Sequence, residues 1–345
     1  MTDLAEMRRF LSQYDGPKMR IMEICGSHTA SIAKNGIKEI LSPAIQLISG
    51  PGCPVCVTPT AYVDRAIALA KRPDTCLVTF GDLLRVPGSS ESLSAAKGMG
   101  ASVEMVYAPA DVLTFAKKEP DKQFVFAAIG FETTIPVYAL LMEELLREEI
   151  TNVKLLTACK TMPGAVSFLL ENGADLQGFL APGHVCTVTG SDAFAPLAKK
   201  YGIPFAVAGF EGEELLAALY GLLHMQGKGM VKNFYPSVVT AEGNAKAKAL
   251  IERFFEPSDA AWRGLGIIPG SGLCLRAAYA SFDAGSRDLT EDNQQNQACR
   301  CGQVLTGKLA PADCPLFGKV CTPLTPQGAC MVSEEGSCHT AMRYQ

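Results

Sequence analysis

Compact apolar runs bounded by Gly, Pro or polar residues alternate along the chain with longer stretches whose apolar positions return every three or four residues. The compact runs predict strands at 18–24, 45–48, 75–80, 102–107 and 124–129, then at 153–158, 178–180 and 204–208. The periodic stretches predict helices over 1–14, 30–40, 61–70, 93–99, 110–118 and 137–149, followed by 165–172, 192–199, 212–224 and 245–255. Strands alternating with helices imply parallel sheets in an α/β fold. Gly130-Phe131-Glu132 and Gly209-Phe210-Glu211 each close an apolar strand and open a helix, and Pro51-Gly52-Cys53-Pro54-Val55-Cys56 has a loose echo in Pro182-Gly183-His184-Val185-Cys186. We therefore expect two similar parallel-sheet α/β domains, 1–135 and 136–235, forming a cleft, with the first ~40 residues also able to pack on the C-terminal domain. From 236 the texture changes to a Gly/Pro-rich run around Trp262, a polar stretch at 288–297 and a cysteine-dense tail. A smaller irregular domain, 236–345, held by a metal centre fits that composition better than a packed core does.

Composition narrows the chemistry. The net charge is −4, and no basic cluster exceeds a pair, which argues against nucleic acid as a partner. The N-terminus is charged and lacks the apolar core of a signal peptide, and no apolar run reaches the ~18–20 residues of a membrane helix. A soluble cytoplasmic protein is expected. Thirteen cysteines, six of them from Cys299 onward, then point to metal or redox chemistry, because structural disulfides are rare in a reducing cytosol.

Gly50-Pro51-Gly52 places Cys53 and Cys56 between a strand and a helix, where unpaired N–H groups favour a thiolate; we read the two as a redox dithiol rather than half of a zinc site. Cys25 and His28 occupy a matching strand-to-helix turn, where His28 could lower the Cys25 pKa or share a metal with it. His184, after Pro182-Gly183, is similarly placed. Glu132 is either a helix-start cap or a proton relay in the cleft. In the tail, Cys314, Cys321, Cys330 and Cys338 suit an iron–sulfur cluster or Zn²⁺. Their wide gaps lack the close pairs of structural zinc and favour [4Fe–4S]. Cys299 and Cys301 are two further thiols, open to roles as ligands, a second dithiol or packing. No phosphate loop, dinucleotide fingerprint or nucleophile elbow occurs in the chain.

Cys25-Gly26-Ser27-His28-Thr29, Gly50 through Cys56, Gly130 through Thr134, Pro182 through Val185, Trp262 through Leu273 and the tail from Cys299 to Cys338 together resemble the hydrogenase maturation factor HypD family over nearly the whole chain. That resemblance implies a scaffold on which, with the small chaperone HypC, the Fe(CN)₂CO group of [NiFe]-hydrogenase is assembled, with cyanide delivered by HypE. It implies that Cys25 binds the iron with His28 beside it, that Cys53 and Cys56 are the cleft dithiol, and that Cys314, Cys321, Cys330 and Cys338 hold a [4Fe–4S] cluster. The layout is similar to that of ferredoxin–thioredoxin reductase, so the competing expectation is a cluster-dependent thiol–disulfide oxidoreductase in which Cys25 is only structural. A zinc-stapled binding module without redox activity is the third reading. The chain departs from the family pattern at Ala30, at Cys186 (commonly Ser) and at His339-Thr340-Ala341, and the role of Cys186 has no account at this level.

Overall fold

The computed structural model describes residues 3–293 and 296–344. Residues 1 and 2 of the expected first helix, 294 and 295 of the polar stretch, and 345 lie outside the described residues. Among the described residues eleven strands form two sheets: β1 (Met19–Glu23), β2 (Ile45–Ser49), β3 (Thr75–Thr79), β4 (Val103–Met105), β5 (Gln123–Gly130), β6 (Val153–Lys160), β7 (Gly178–Pro182), β8 (Phe205–Ala208), β9 (Val231–Asn233), β10 (Phe255–Trp262) and β11 (Gly266–Leu275).

One sheet is wholly parallel, in the order β2-β1-β7-β8-β9. The other runs β10-β11-β6-β5-β3-β4; its inner strands are parallel, and β10 and β11 form an antiparallel hairpin at one side. The α/β expectation therefore holds. The sheets, however, interleave the chain. The N-terminal pair β1–β2 belongs with β7–β9, while β3 to β6 share a sheet with the late hairpin.

Burial explains the strand sequences. Every residue of β3 is buried, and so is all of β5 beyond Gln123, so these strands read as continuous apolar runs, as strands covered on both faces should. Register is fixed by core pairs such as Phe126↔Leu155 and Phe179↔Phe205, the latter also stacked with ring centroids 4.7 Å apart. One core cluster joins the two sheets, taking Met22 and Phe179 from the first, Val125 and Leu156 from the second, and Cys330 and Val332 from the tail.

Three stretches differ from expectation. The Gly/Pro-rich run around Trp262 is part of the β10–β11 hairpin, because left-handed glycines at 264, 266 and 270 supply its turns. The helix expected over 30–40 starts earlier, at Gly26, and breaks at the left-handed Gly36 into two helices, Gly26–Lys34 and Ile37–Ile40. The cysteine-dense tail ends in a helix, Ser337–Tyr344, that packs on the Gly26–Lys34 helix.

No described helix is long and apolar enough to cross a membrane.

Candidate functional site

Parallel sheets bind ligands beyond the carboxyl ends of their strands. Those ends carry nearly all the residues singled out from the sequence. Cys25 follows β1, Cys53 and Cys56 follow β2, Glu132 follows β5, His184 follows β7, and Phe210 follows β8.

Cys25 is the N-cap of the Gly26–Lys34 helix and is buried. Backbone N–H groups of Ser27 and His28 point at its sulfur, yet burial wins and pushes the thiol up to about 11, with the Glu335 charge adding to the rise. The expected lowering does not occur. His28 cannot supply it: fully buried, its ring is held down at about 4, and its Nε2 lies 3.0 Å from the Gly209 carbonyl and 3.3 Å from that of Ala208. Two carbonyl oxygens at Nε2 require the proton there, leaving Nδ1 as a buried lone pair with no partner among the described residues. Phe210 stacks between the two histidines, 4.8 Å from the His28 ring and 3.8 Å from that of exposed His184.

The dithiol loop is pressed against Cys25. The Gly52 carbonyl accepts from Gly26 N–H at 3.3 Å, and a Cβ on Gly52 would sit 2.3 Å from the Cys25 backbone nitrogen. Only glycine permits that approach. Cys53 and Cys56 form a disulfide in a turn that precedes the Thr60–Ala70 helix, and the Cys56 backbone N–H points at Cys53 Sγ from 3.3 Å. Cys56 Sγ lies 3.8 Å from the Ala329 carbonyl oxygen, next to Cys330 of the tail.

The tail also reaches Cys25 directly. Ser27 Oγ donates to Glu335 Oε1 at 2.6 Å, and the Glu335 backbone covers Gly26 so closely that a Cβ there would lie 2.6 Å from its carbonyl oxygen. Reading the sequence missed Glu335, since nothing local connects residues 308 positions apart.

Glu132 is buried with one oxygen, Oε1, accepting from Met162 N–H at 2.8 Å, which caps the Met162–Glu171 helix. Its Oε2 has no hydrogen-bond partner among the described residues, and burial pushes the carboxyl up to about 7. Glu132 and Cys25 both bear on the buried Cys186 thiol, which burial raises far above its ordinary value. Cys186 therefore belongs to the same neighbourhood.

Six tail thiols converge. Cys299, Cys301, Cys314, Cys321 and Cys338 line one small cavity with Leu316, Phe317 and Met331, and Cys330 is in hydrogen-bonding contact with Cys301 and Cys338. Cys299 Sγ and Cys301 Sγ are 3.4 Å apart, packed over Gly328, where a Cβ would lie 2.6 and 2.5 Å from them. Contact with the Cys301 and Cys330 thiols draws the Cys338 thiol down. A soft, sulfur-only donor set in an apolar pocket fits an iron–sulfur cluster.

The sequence profile of the HypD family, described as "Hydrogenase formation hypA family", matches residues 3–345. The chain is 45% identical to the hydrogenase maturation factor HypD of Azotobacter vinelandii over 92% of this chain and 87% of that protein. It is 42% identical to the factor of the same name from Rhodobacter capsulatus, over 99% and 94%. A putative hydrogenase expression/formation protein of Methanocaldococcus jannaschii is 41% identical over 95% and 92%. The chain belongs to the HypD family.

Proposed function

We propose that this chain is a hydrogenase maturation factor that, with a HypC-type chaperone, assembles and carries the Fe(CN)₂CO group of [NiFe]-hydrogenase, the cyanide coming from a HypE-type donor. The observation that carries the reading is the junction at Gly26 and Gly52, where Cys25, the dithiol loop and the tail meet within hydrogen-bonding contact.

In this reading the iron complex is the cargo. Cys25 is its thiolate ligand. A thiol buried at the start of a helix loses its proton reluctantly, so iron binding must displace that proton, and the Ser27 and His28 N–H groups then stabilise the thiolate. Nδ1 of His28, unpartnered among the described residues, is a buried acceptor on the helix that Cys25 caps, burial favours the neutral acid at Glu132, and His184 closes the exposed side of the stack. Cys53 and Cys56 exchange electrons as a pair. Cys314, Cys321, Cys330 and Cys338 would hold a [4Fe–4S] cluster, which supplies electrons singly. Contact of Cys56 with the Cys330 loop gives the pair its route to that store.

The test is anaerobic co-purification with the small chaperone, followed by iron and acid-labile sulfide analysis and infrared spectroscopy. Iron, sulfide and Fe–cyanide bands are expected, and Cys25→Ala should lose the bands while Cys53–Cys56 stays reducible. Bands retained in Cys25→Ala would favour the thiol–disulfide oxidoreductase; zinc in place of iron would remove both readings.

A further inference from the structure

β6 and β11 pair only at Cys159 and Lys160, then splay apart. The gap is a cavity of about 730 Å³, walled by Pro59 and Tyr62 on one side and the segment 277–290 on another. That is within the ~300–1,000 Å³ of small-molecule sites, and nothing in the proposed maturation chemistry uses it.

Lys160 lines this cavity and is 2% exposed, the least exposed charged residue of the lining. Among the described residues no hydrogen bond or salt bridge reaches its ammonium, whose one contact of note is the Trp262 ring, 5.7 Å away. A cation–π contact contributes about 0.5–2 kcal/mol, well below the several kcal/mol that desolvating an ammonium costs. The neighbouring cation, Arg263, makes matters worse, and its own groups are committed: Nε donates to the Thr58 carbonyl at 2.7 Å and Nη1 lies 3.9 Å from Asp292. Burial with Arg263 alongside draws the Lys160 ammonium down to about 8 despite the opposing Cys159 thiol. A buried cation without a counter-ion, facing an empty volume, is a place for an anion.

The remaining lining sets the kind of anion. Ile267, Leu273 and Leu275 add an apolar wall, while Glu256, Asp259, Asp283 and Asp288, with Arg287 among them, put a net negative rim on the less buried part. A rim dominated by carboxylates repels a polyanion more strongly than a single charge on an apolar body, which leaves a monoanion as the better fit to Lys160. We propose that this cavity binds a small monocarboxylate with an apolar chain, its carboxylate set against Lys160 Nζ and its body against β11 and Tyr62.

Octanoate is the probe. Calorimetric titration into the full chain is expected to give one site, with affinity reduced on the order of tenfold or more in Lys160→Met, since the carboxylate then loses its charged partner. Inorganic pyrophosphate is expected to bind at least tenfold more weakly than octanoate. A photoreactive octanoate analogue on the unaltered protein should label peptides carrying 157–160 or 256–261, a readout independent of whether Lys160→Met folds. No octanoate heat, label confined to other peptides, undiminished affinity in folded Lys160→Met, or pyrophosphate binding as tightly as octanoate would each overturn the proposal.

Discussion

The strand-end region around Cys25 and the tail from Cys299 onward both present sulfur, but they are built by different physics. Around Cys25, hydrophobic burial does the positioning. β1 and β7 are almost entirely buried, the Gly26–Lys34 helix starts where β1 ends, and Gly52 is the only residue type that lets the dithiol loop close over it. The tail has only short helical turns before its last helix, and its centre is thiol against thiol. Thiols crowded to 3.4 Å are weak partners for one another, so their mutual contacts add little beyond the burial of neighbours such as Leu305, Met331 and Val332. If the proposed reading holds, a frame that folds on apolar burial can wait for its cargo, whereas a tail whose centre is sulfur draws part of its fold from its metal.

The largest expected effect follows from that contrast. Removing iron with a chelator under reducing conditions should release amide protection throughout 299–335, while β5 and β6 keep theirs. Hydrogen exchange read by mass spectrometry checks this, and a uniform loss of protection across both regions would erase the distinction. Next in size, Gly52→Ala attacks the frame at its tightest point. A methyl 2.3 Å from a backbone nitrogen cannot be absorbed by rotating a side chain, so we expect a loss of about 3 kcal/mol or more in urea unfolding, with Cys25 becoming reactive to a thiol reagent. Stability within ~0.5 kcal/mol of the parent would mean the loop does not depend on that approach.

What was legible in the sequence follows the same division. Buried parallel strands such as β3 and β5 announce themselves as unbroken apolar runs, and helices such as Gly212–His224 by their period. The hairpin was hidden because Gly264, Gly266 and Gly270 look like loop punctuation when their work is to turn antiparallel strands. Interleaving of the sheets was hidden too, since pairing between β1 and β7 leaves no local mark. At the site, Cys25, Cys53, Cys56, Glu132 and His184 were visible as chemistry-bearing residues beside Gly and Pro. Their ionisation was not, because burial is a property of the assembled core: it reverses the helix-start argument at Cys25. Phe210, Glu335 and Lys160 matter through partners far away in the chain, and only the fold supplies those.

Glu132 gives a sharper handle on the frame. Its folded pKa, about 7, stands above the ordinary 4.5, so the native state prefers the neutral acid. Stability that depends on this preference is complete below pH ~4.5 and is lost as pH rises to about 7, because the unfolded chain releases the proton first. The full loss is about 3 kcal/mol, taking 1.36 kcal/mol per unit. Glu132→Gln keeps an acceptor for Met162 N–H and removes the charge, so its stability should vary less with pH by that amount and exceed the parent's at pH 8. Parallel pH profiles for the two proteins would show that the carboxyl is ionised in place without cost.

The smallest effect tests one of the contacts that tie the regions together. Ser27→Ala deletes the hydroxyl that donates to Glu335 while leaving the Gly26 backbone packing untouched. A part-buried hydrogen bond to a carboxylate is worth about 1–2 kcal/mol. If the tail owes its seat on the frame to that bond, hydrogen exchange in 331–336 should quicken by roughly tenfold, a 1.4 kcal/mol change. The Cys25 thiol, beside a carboxylate no longer engaged, should become harder still to ionise, read as slower alkylation at fixed pH. Faster exchange confined to residues around Ser27 would instead make the contact local, and the Glu335 backbone against Gly26 would then be what joins sulfur to sulfur across the chain.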